Sequence, residues 1–184
     1  MNLTSVTTTG VTIVSSGTTL DLSGTAGVLT GVSISGGTLL LSGSEAANRI
    51  GDTAPISLGA AGSTLQLSGA VTETLGALTL AGGAGARVID FGSASGGGVL
   101  TFASLTAESS LPLQIWNWSG TIGTGGGMDR LFITNGFAPS NISFFSGTGT
   151  GLYSEATGFT SSGELVPGGL VPVPEASTLL GVLG

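Results

Sequence analysis

Cysteine, histidine and lysine are missing from this chain altogether. Without cysteine it has neither disulfides nor thiolate ligands for a metal. With histidine and lysine also absent, it lacks the commonest general base and two of the usual activated nucleophiles. Its many serines have no imidazole to activate them. Positive charge is equally scarce: Arg49, Arg87 and Arg130 stand against ten acids, for a net charge of −7. Nucleic-acid binding depends on clustered cations that neutralise phosphates, so no nucleic-acid partner is expected. The inventory also gives no reason to expect a cofactor.

Charged residues make up only 7% of the 184 positions, where about a quarter is usual. Glycine, at 35 residues, and a 40% share of apolar residues take their place. A disordered chain is polar and charged, whereas mean hydropathy here is +0.54. The composition therefore implies burial through small, frequent apolar positions, in a chain of single-domain length.

One phrase recurs along the first hundred residues: Gly-x-Thr-Leu-x-Leu-Ser-Gly. It is clear at Gly17–Gly24, Gly36–Gly43 and Gly62–Gly69, and looser at Leu75–Gly82 and Gly97–Ala103. Shorter alternating pieces lie between the copies, as in Val11-Thr12-Ile13, Val32-Ser33-Ile34, Ile56-Ser57-Leu58 and Val88-Ile89-Asp90-Phe91. Strands are thus expected to start near 11, 20, 32, 39, 56, 65, 78, 88 and 99. A period of two turns Leu20, Leu22, Leu39, Leu41, Leu65, Leu67, Leu78, Leu80, Leu100 and Phe102 to one face. Asp21, Leu40, Gln66, Thr79 and Thr101 fall on the other, so Leu67→Asp is expected to destabilise severely and Gln66→Asp not. Short, regularly spaced strands also suit a sandwich or barrel. Repetition of the same phrase favours equivalent residues stacked in ladders, as in a β-solenoid.

The phrase resembles the autotransporter-associated β-strand repeat, best at Gly36–Gly43 and over roughly residues 10–105. That resemblance implies a right-handed parallel β-helix. The expected organisation is all-β: solenoid repeats over 1–105, an aromatic-rich capping segment over 106–166, and an extended Pro-containing tail over 167–184. Eight of the ten aromatics lie beyond residue 110, where large rings can cover the last coil. Strands are expected there at Leu113–Trp116, Leu131–Ile133 and Ile142–Phe145.

The tail carries a second resemblance. Val173, Pro174, Glu175, Ala176, Ser177 and Thr178, followed by Leu179-Leu180-Gly181-Val182-Leu183-Gly184, are similar to the start of a PEP-CTERM sorting signal, with Ala176 where that family has a second proline. The segments Trp116–Gly120, Gly125–Phe132 and Ser162–Pro167 resemble the stretch that precedes such tails. The resemblance implies export/sorting machinery as a partner and a secreted or cell-surface location in the bacterial envelope. Six residues after Thr178 rise about 9 Å as a helix against a hydrocarbon core of about 30 Å, so they make no complete transmembrane segment. Met1-Asn2-Leu3-Thr4 lacks the cationic segment and apolar run of a secretory signal, and the expectation is a fragment of a longer, exported protein.

Candidate sites are few. Gly82-Gly83-Ala84-Gly85-Ala86-Arg87 approaches the calcium nonapeptide wording, with Arg87 where the ligand carboxylate belongs. Thr124-Gly125-Gly126-Gly127-Met128-Asp129 keeps the carboxylate, which makes Asp129 the one metal candidate; the alternative is a glycine turn with an Asp129–Arg130 surface contact. Trp116 and Trp118, two apart on a strand, are placed on one face as a stacking platform for sugars or as part of the cap. A glycosidase carboxylate pair would have to come from Asp21, Asp52, Asp90, Asp129 or the glutamates, which are otherwise read as solvated surface acids. Thr7-Thr8-Thr9, Thr12, Thr18-Thr19 and Thr38 resemble the threonine arrays of ice-binding proteins. The expected function is that of an exported surface or extracellular-matrix solenoid, structural or adhesive and non-catalytic, in contact with exopolysaccharide. A carbohydrate-binding or carbohydrate-active β-helix is the alternative.

Overall fold

Where apolar residues alternate between glycine turns, the chain forms strands, and the strands stack coil upon coil. The computed structural model describes residues 2–5, 11–26, 29–43, 49–92, 97–107, 111–135, 141–145, 152–154, 157–160, 162 to 168. Among them there is no helix, and sixteen strands make up the regular structure. One sheet, A, contains β1 (Asn2–Ser5), β3 (Thr19–Ala26), β5 (Thr38–Ser42), β7 (Thr64–Ser68), β9 (Arg87–Asp90), β11 (Leu113–Trp116), β13 (Ile142–Phe145) and β14 (Leu152–Ser154), in that spatial order. The other, B, contains β2 (Val11–Ser15), β4 (Gly31–Ser35), β6 (Ile56–Leu58), β8 (Val71–Leu80), β10 (Gly98–Ala107) and β12 (Arg130–Asn135). A hairpin of β15 (Thr157–Phe159) and β16 (Leu165–Pro167) completes the set.

The chain alternates strictly between the two sheets, and each strand pairs in parallel with the strand two places away, from β1 to β13. That is a parallel β-solenoid. Each return to the same sheet is a crossover, which strand twist makes right-handed in about 98% of parallel connections. The expected strands therefore all form. Leu20, Leu39, Leu65, Ile89, Ile115 and Phe144 stack as one inward ladder of sheet A, and Leu22, Leu41 and Leu67 as a second. Val14, Ile34, Leu58 and Leu80 stack opposite them in sheet B. All of these are buried. The expected outward set, Asp21, Leu40, Gln66, Thr79 and Thr101, is half-buried.

The coils differ in length, and the surplus is placed between strands. Leu29 and Ile50 bridge in parallel to make a short third side, with both side chains in the core. At Gly76 successive coils approach closely: its N–H donates to the Ala54 carbonyl at 2.9 Å, and a Cβ there would lie 2.3 Å from the Thr53 carbonyl oxygen. Only glycine fits that contact. The strand around it, β8, begins earlier than the repeat phrase implies, because Val71-Thr72-Glu73-Thr74-Leu75 also alternates, with Glu73 pointing into the interior.

Both sheets end on antiparallel segments after the last coil. In sheet A, β14 pairs antiparallel with β13. In sheet B, the β15–β16 hairpin lies against β12 through an antiparallel bridge of Phe132 with Glu164, burying Leu165 and Val166. Paired or covered edges do not template further strand addition. Trp118 fills the end of the core against Phe144, ring centroids 5.3 Å apart at 70°. The cap is thus built from strands as well as rings, and it reaches Pro167, whose carbonyl accepts the Gly123 N–H at 3.0 Å.

Candidate functional site

The two tryptophans do not share a face. Trp116 closes β11 on its outer side, half-buried, with its indole N–H donating to Gln114 Oε1 at 2.9 Å. Asn117 then adopts φ 56°, a left-handed conformation that ends the strand and rotates the next side chain inward. Trp118 is accordingly 1% exposed. The period-two expectation fails here because the strand stops one residue too early. A buried ring offers no stacking surface, so of the pair only Trp116 faces outward.

Asp52 is exposed and Asp21 half-buried, but four other acids are not the solvated surface groups that composition suggests. Glu73, Asp90, Asp129 and Glu164 are all buried, and so are Arg49 and Arg87. Asp90 lies on the outer row of sheet A, in register with Gln66 and Trp116. Its Oδ1 accepts the Asn117 amide at 2.7 Å and the Gly92 N–H at 2.8 Å, and its Oδ2 accepts the Gln66 amide at 3.0 Å. Those donors engage both of its oxygens, and they make Gln66 a partner of Asp90 rather than a free outward side chain. Glu164 accepts from Arg130 Nε at 3.1 Å and from the Gly126 N–H, and pairs with Arg130 Nη2 at 3.0 Å. Arg130 also lies 4.7 Å from the centroid of the Phe132 ring, a cation–π distance.

Asp129 makes no surface contact with Arg130. It is 1% exposed at the entry to β12, where its Oδ1 accepts the Gly98 N–H at 2.9 Å across the coil boundary. Its own N–H donates to Ser119 Oγ at 3.3 Å. Oδ2 has no hydrogen-bond partner in the described structure. One free oxygen is a thin basis for a hard cation, and among the described residues no group of three carboxylate, imidazole or thiol ligands converges anywhere.

Arg49 donates through Nε to the carbonyls of Leu22 and Ser42, both at 3.0 Å, through Nη2 to Ser42 at 2.6 Å, and through Nη1 to Glu73 Oε1 at 3.0 Å. Burial holds the Glu73 carboxyl above its ordinary range, outweighing the Arg49 bonds that pull it down. Arg87, wholly buried, donates to the carbonyls of Leu58, Ala81, Gly83 and Gly85. Sequence reasoning missed these roles. The available signals were Glu73 at an inward position of an alternating run and Arg87 at the end of a glycine loop.

The outer faces carry hydroxyl rows. Thr19, Thr38 and Thr64 stack on sheet A, but the row continues as Val88 and Gln114. Ser33, Ser57 and Thr79 stack on sheet B and floor a shallow, Pro55-walled depression of about 130 Å³. No titratable group lines it. Thr7-Thr8-Thr9 and the tail residues Val173–Thr178 lie outside the described residues. Comparison of the chain with known protein families, with curated proteins and with solved structures returns no match.

Proposed function

We propose that this chain is the β-solenoid of an exported bacterial surface or extracellular-matrix protein, a structural and adhesive element without catalytic activity. One observation carries the reading: the arginines and buried acids are committed to internal bonds, leaving faces of hydroxyl, amide and small apolar side chains. A long, weakly charged ladder of this kind suits contact with exopolysaccharide or with neighbouring matrix, and its scarcity of free cations disfavours polyanions. The tail Val173–Thr178 is the address read by export and sorting machinery. In the producing bacterium, the gene product epitope-tagged at its own locus is expected to be cleaved by protease added to intact cells. Scrambling Val173–Thr178 is expected to keep it inside; cytoplasmic retention of both chains would overturn the reading.

Carbohydrate recognition is the second reading, favoured by Trp116. Its ring is fixed by Gln114 on the outer face of sheet A, one strand from the Gln66–Asp90–Asn117 amide cluster. A neutral glucan is expected to quench and blue-shift the fluorescence of the Trp118→Phe variant, which retains Trp116 as its one indole. No spectral change with neutral, cationic or anionic polysaccharides removes the site.

A further inference from the structure

We propose that the loop from Ala81 to Arg87 is a cation-binding site whose ligand is supplied by the chain itself, the guanidinium of Arg87. The carbonyls of Ala81, Gly83 and Gly85, at every second residue, converge on the two terminal nitrogens, and the Gly83 contact measures 2.7 Å. The Leu58 carbonyl, one coil below, accepts from Nε at 3.4 Å. Gly82 at φ 85° and Gly85 at φ 110° turn the intervening peptides so that alternate oxygens face inward. A Cβ at Gly82 would lie 1.9 Å from the Gly59 carbonyl oxygen, so the loop is packed directly on the coil beneath it.

The charge balance makes this a site rather than an ordinary ion pair. Arg87 is 0% exposed, and among the described residues no carboxylate pairs with it. A buried cation without a counter-ion is costly unless dipoles surround it. Here those dipoles are backbone carbonyls, the donor set that also suits hard cations. The planar fork of arginine reaches several of them at once, which a point charge on lysine does not.

The same device occurs a second time. Gly43, at φ 103°, follows the end of β5 as Gly82 follows the end of β8. Arg49 Nη2 donates to the residue before that glycine, Ser42, as Arg87 Nη2 donates to Ala81. Arg49 Nε donates to Leu22 on the previous coil, as Arg87 Nε donates to Leu58. Two corners with unlike loop sequences thus place a guanidinium under a left-handed glycine and staple two coils together. They differ in that Arg49 also meets Glu73, whereas the 81–87 loop relies on carbonyls alone.

Removing the Arg87 side chain while keeping the loop should leave a carbonyl-lined vacancy that a free guanidinium fills. Arg87→Ala is expected to lower Tm by about 5–15 °C. Methylguanidinium chloride at about 20 mM should return at least half of that loss by mass action. The same addition should leave the wild type unmoved, and sodium chloride at equal ionic strength should not substitute for it. Arg87→Lys should recover less than the added guanidinium does. If Arg87→Ala does not fold alone, recovery of β-sheet circular dichroism on refolding with methylguanidinium supports the site. Failure of methylguanidinium to restore either Tm or refolding overturns it. So does recovery with calcium chloride alone, or an equal gain in the wild type.

Discussion

Arg49 Nη1 lies 3.0 Å from Glu73 Oε1 inside the solenoid, with both side chains no more than 2% exposed. The pair links the loop after β5 to β8, and Glu73 Oε1 also accepts the Arg49 backbone N–H at 3.2 Å. Breaking it from one side strands a buried charge, so Glu73→Ala is expected to cost about 3–5 kcal/mol in chemical denaturation. A loss below about 1 kcal/mol would mean that Arg49 finds another partner or water.

The same carboxyl sets a pH dependence with a definite sign. Desolvation raises the folded-state pKa of Glu73 above its ordinary 4.5, so between those two values the folded chain holds the proton more tightly than the unfolded one. Stability from this group is fully present below the unfolded value and is lost as pH rises through the folded value. Glu73→Gln mimics the protonated form. The Tm difference, wild type minus Glu73→Gln, is therefore expected to decline as pH rises from the unfolded value, and an increase over that range would reverse the assignment.

Inward and outward strand positions should respond differently to truncation. Leu67→Ala opens a cavity in a fully buried ladder and is expected to cost about 2–5 kcal/mol, whereas Ser57→Ala on the outer face of β6 should stay within about 0.5 kcal/mol. Gln66→Asp is a different case, since its amide donates to Asp90. That substitution sets two carboxylates on adjacent rungs and is expected to destabilise, most clearly at neutral pH and low salt. Equal urea midpoints for wild type and Gln66→Asp would show that the amide bond contributes nothing.

At Gly76 the coils are too close for any side chain. Gly76→Ala places a methyl 2.3 Å from the Thr53 carbonyl oxygen, and the backbone must move. A Tm loss of at least about 4 °C is expected. A variant as stable as the wild type would show that the third side shifts freely.

The end cover depends on one polar tether. Glu164→Gln weakens the bonds to Arg130 and Gly126 that hold the β15–β16 hairpin against β12. Faster amide exchange is expected over 164–168, with exchange in β7 and β9 unchanged. Uniform acceleration along the chain would mean that the hairpin and the coils open as one unit.

Much of the fold was legible because its signals are local. Alternation of Leu39 and Leu41, or of Leu65 and Leu67, states which face is inward whatever else the chain does. Glycine at the ends of those phrases marks the turns, as the positive φ of Gly36, Gly43, Gly62 and Gly69 bears out. The candidate sites were less legible. Trp116 and Trp118 part company over the single dihedral of Asn117, and Asp129 turns inward to the Gly98 N–H rather than outward to Arg130.

Period, turn chemistry and repetition in the amino-acid sequence thus determined an all-β chain, the faces of its strands and their stacking in parallel coils. Tertiary structure alone decided where the charges go. Arg49 meets Glu73 and Arg130 meets Glu164 across 24 and 34 residues of chain, distances over which no local pattern operates. A buried ionised group persists only where partners surround it, and for Glu73 and Glu164 the partner arginines arrive only once the distant segments have packed together.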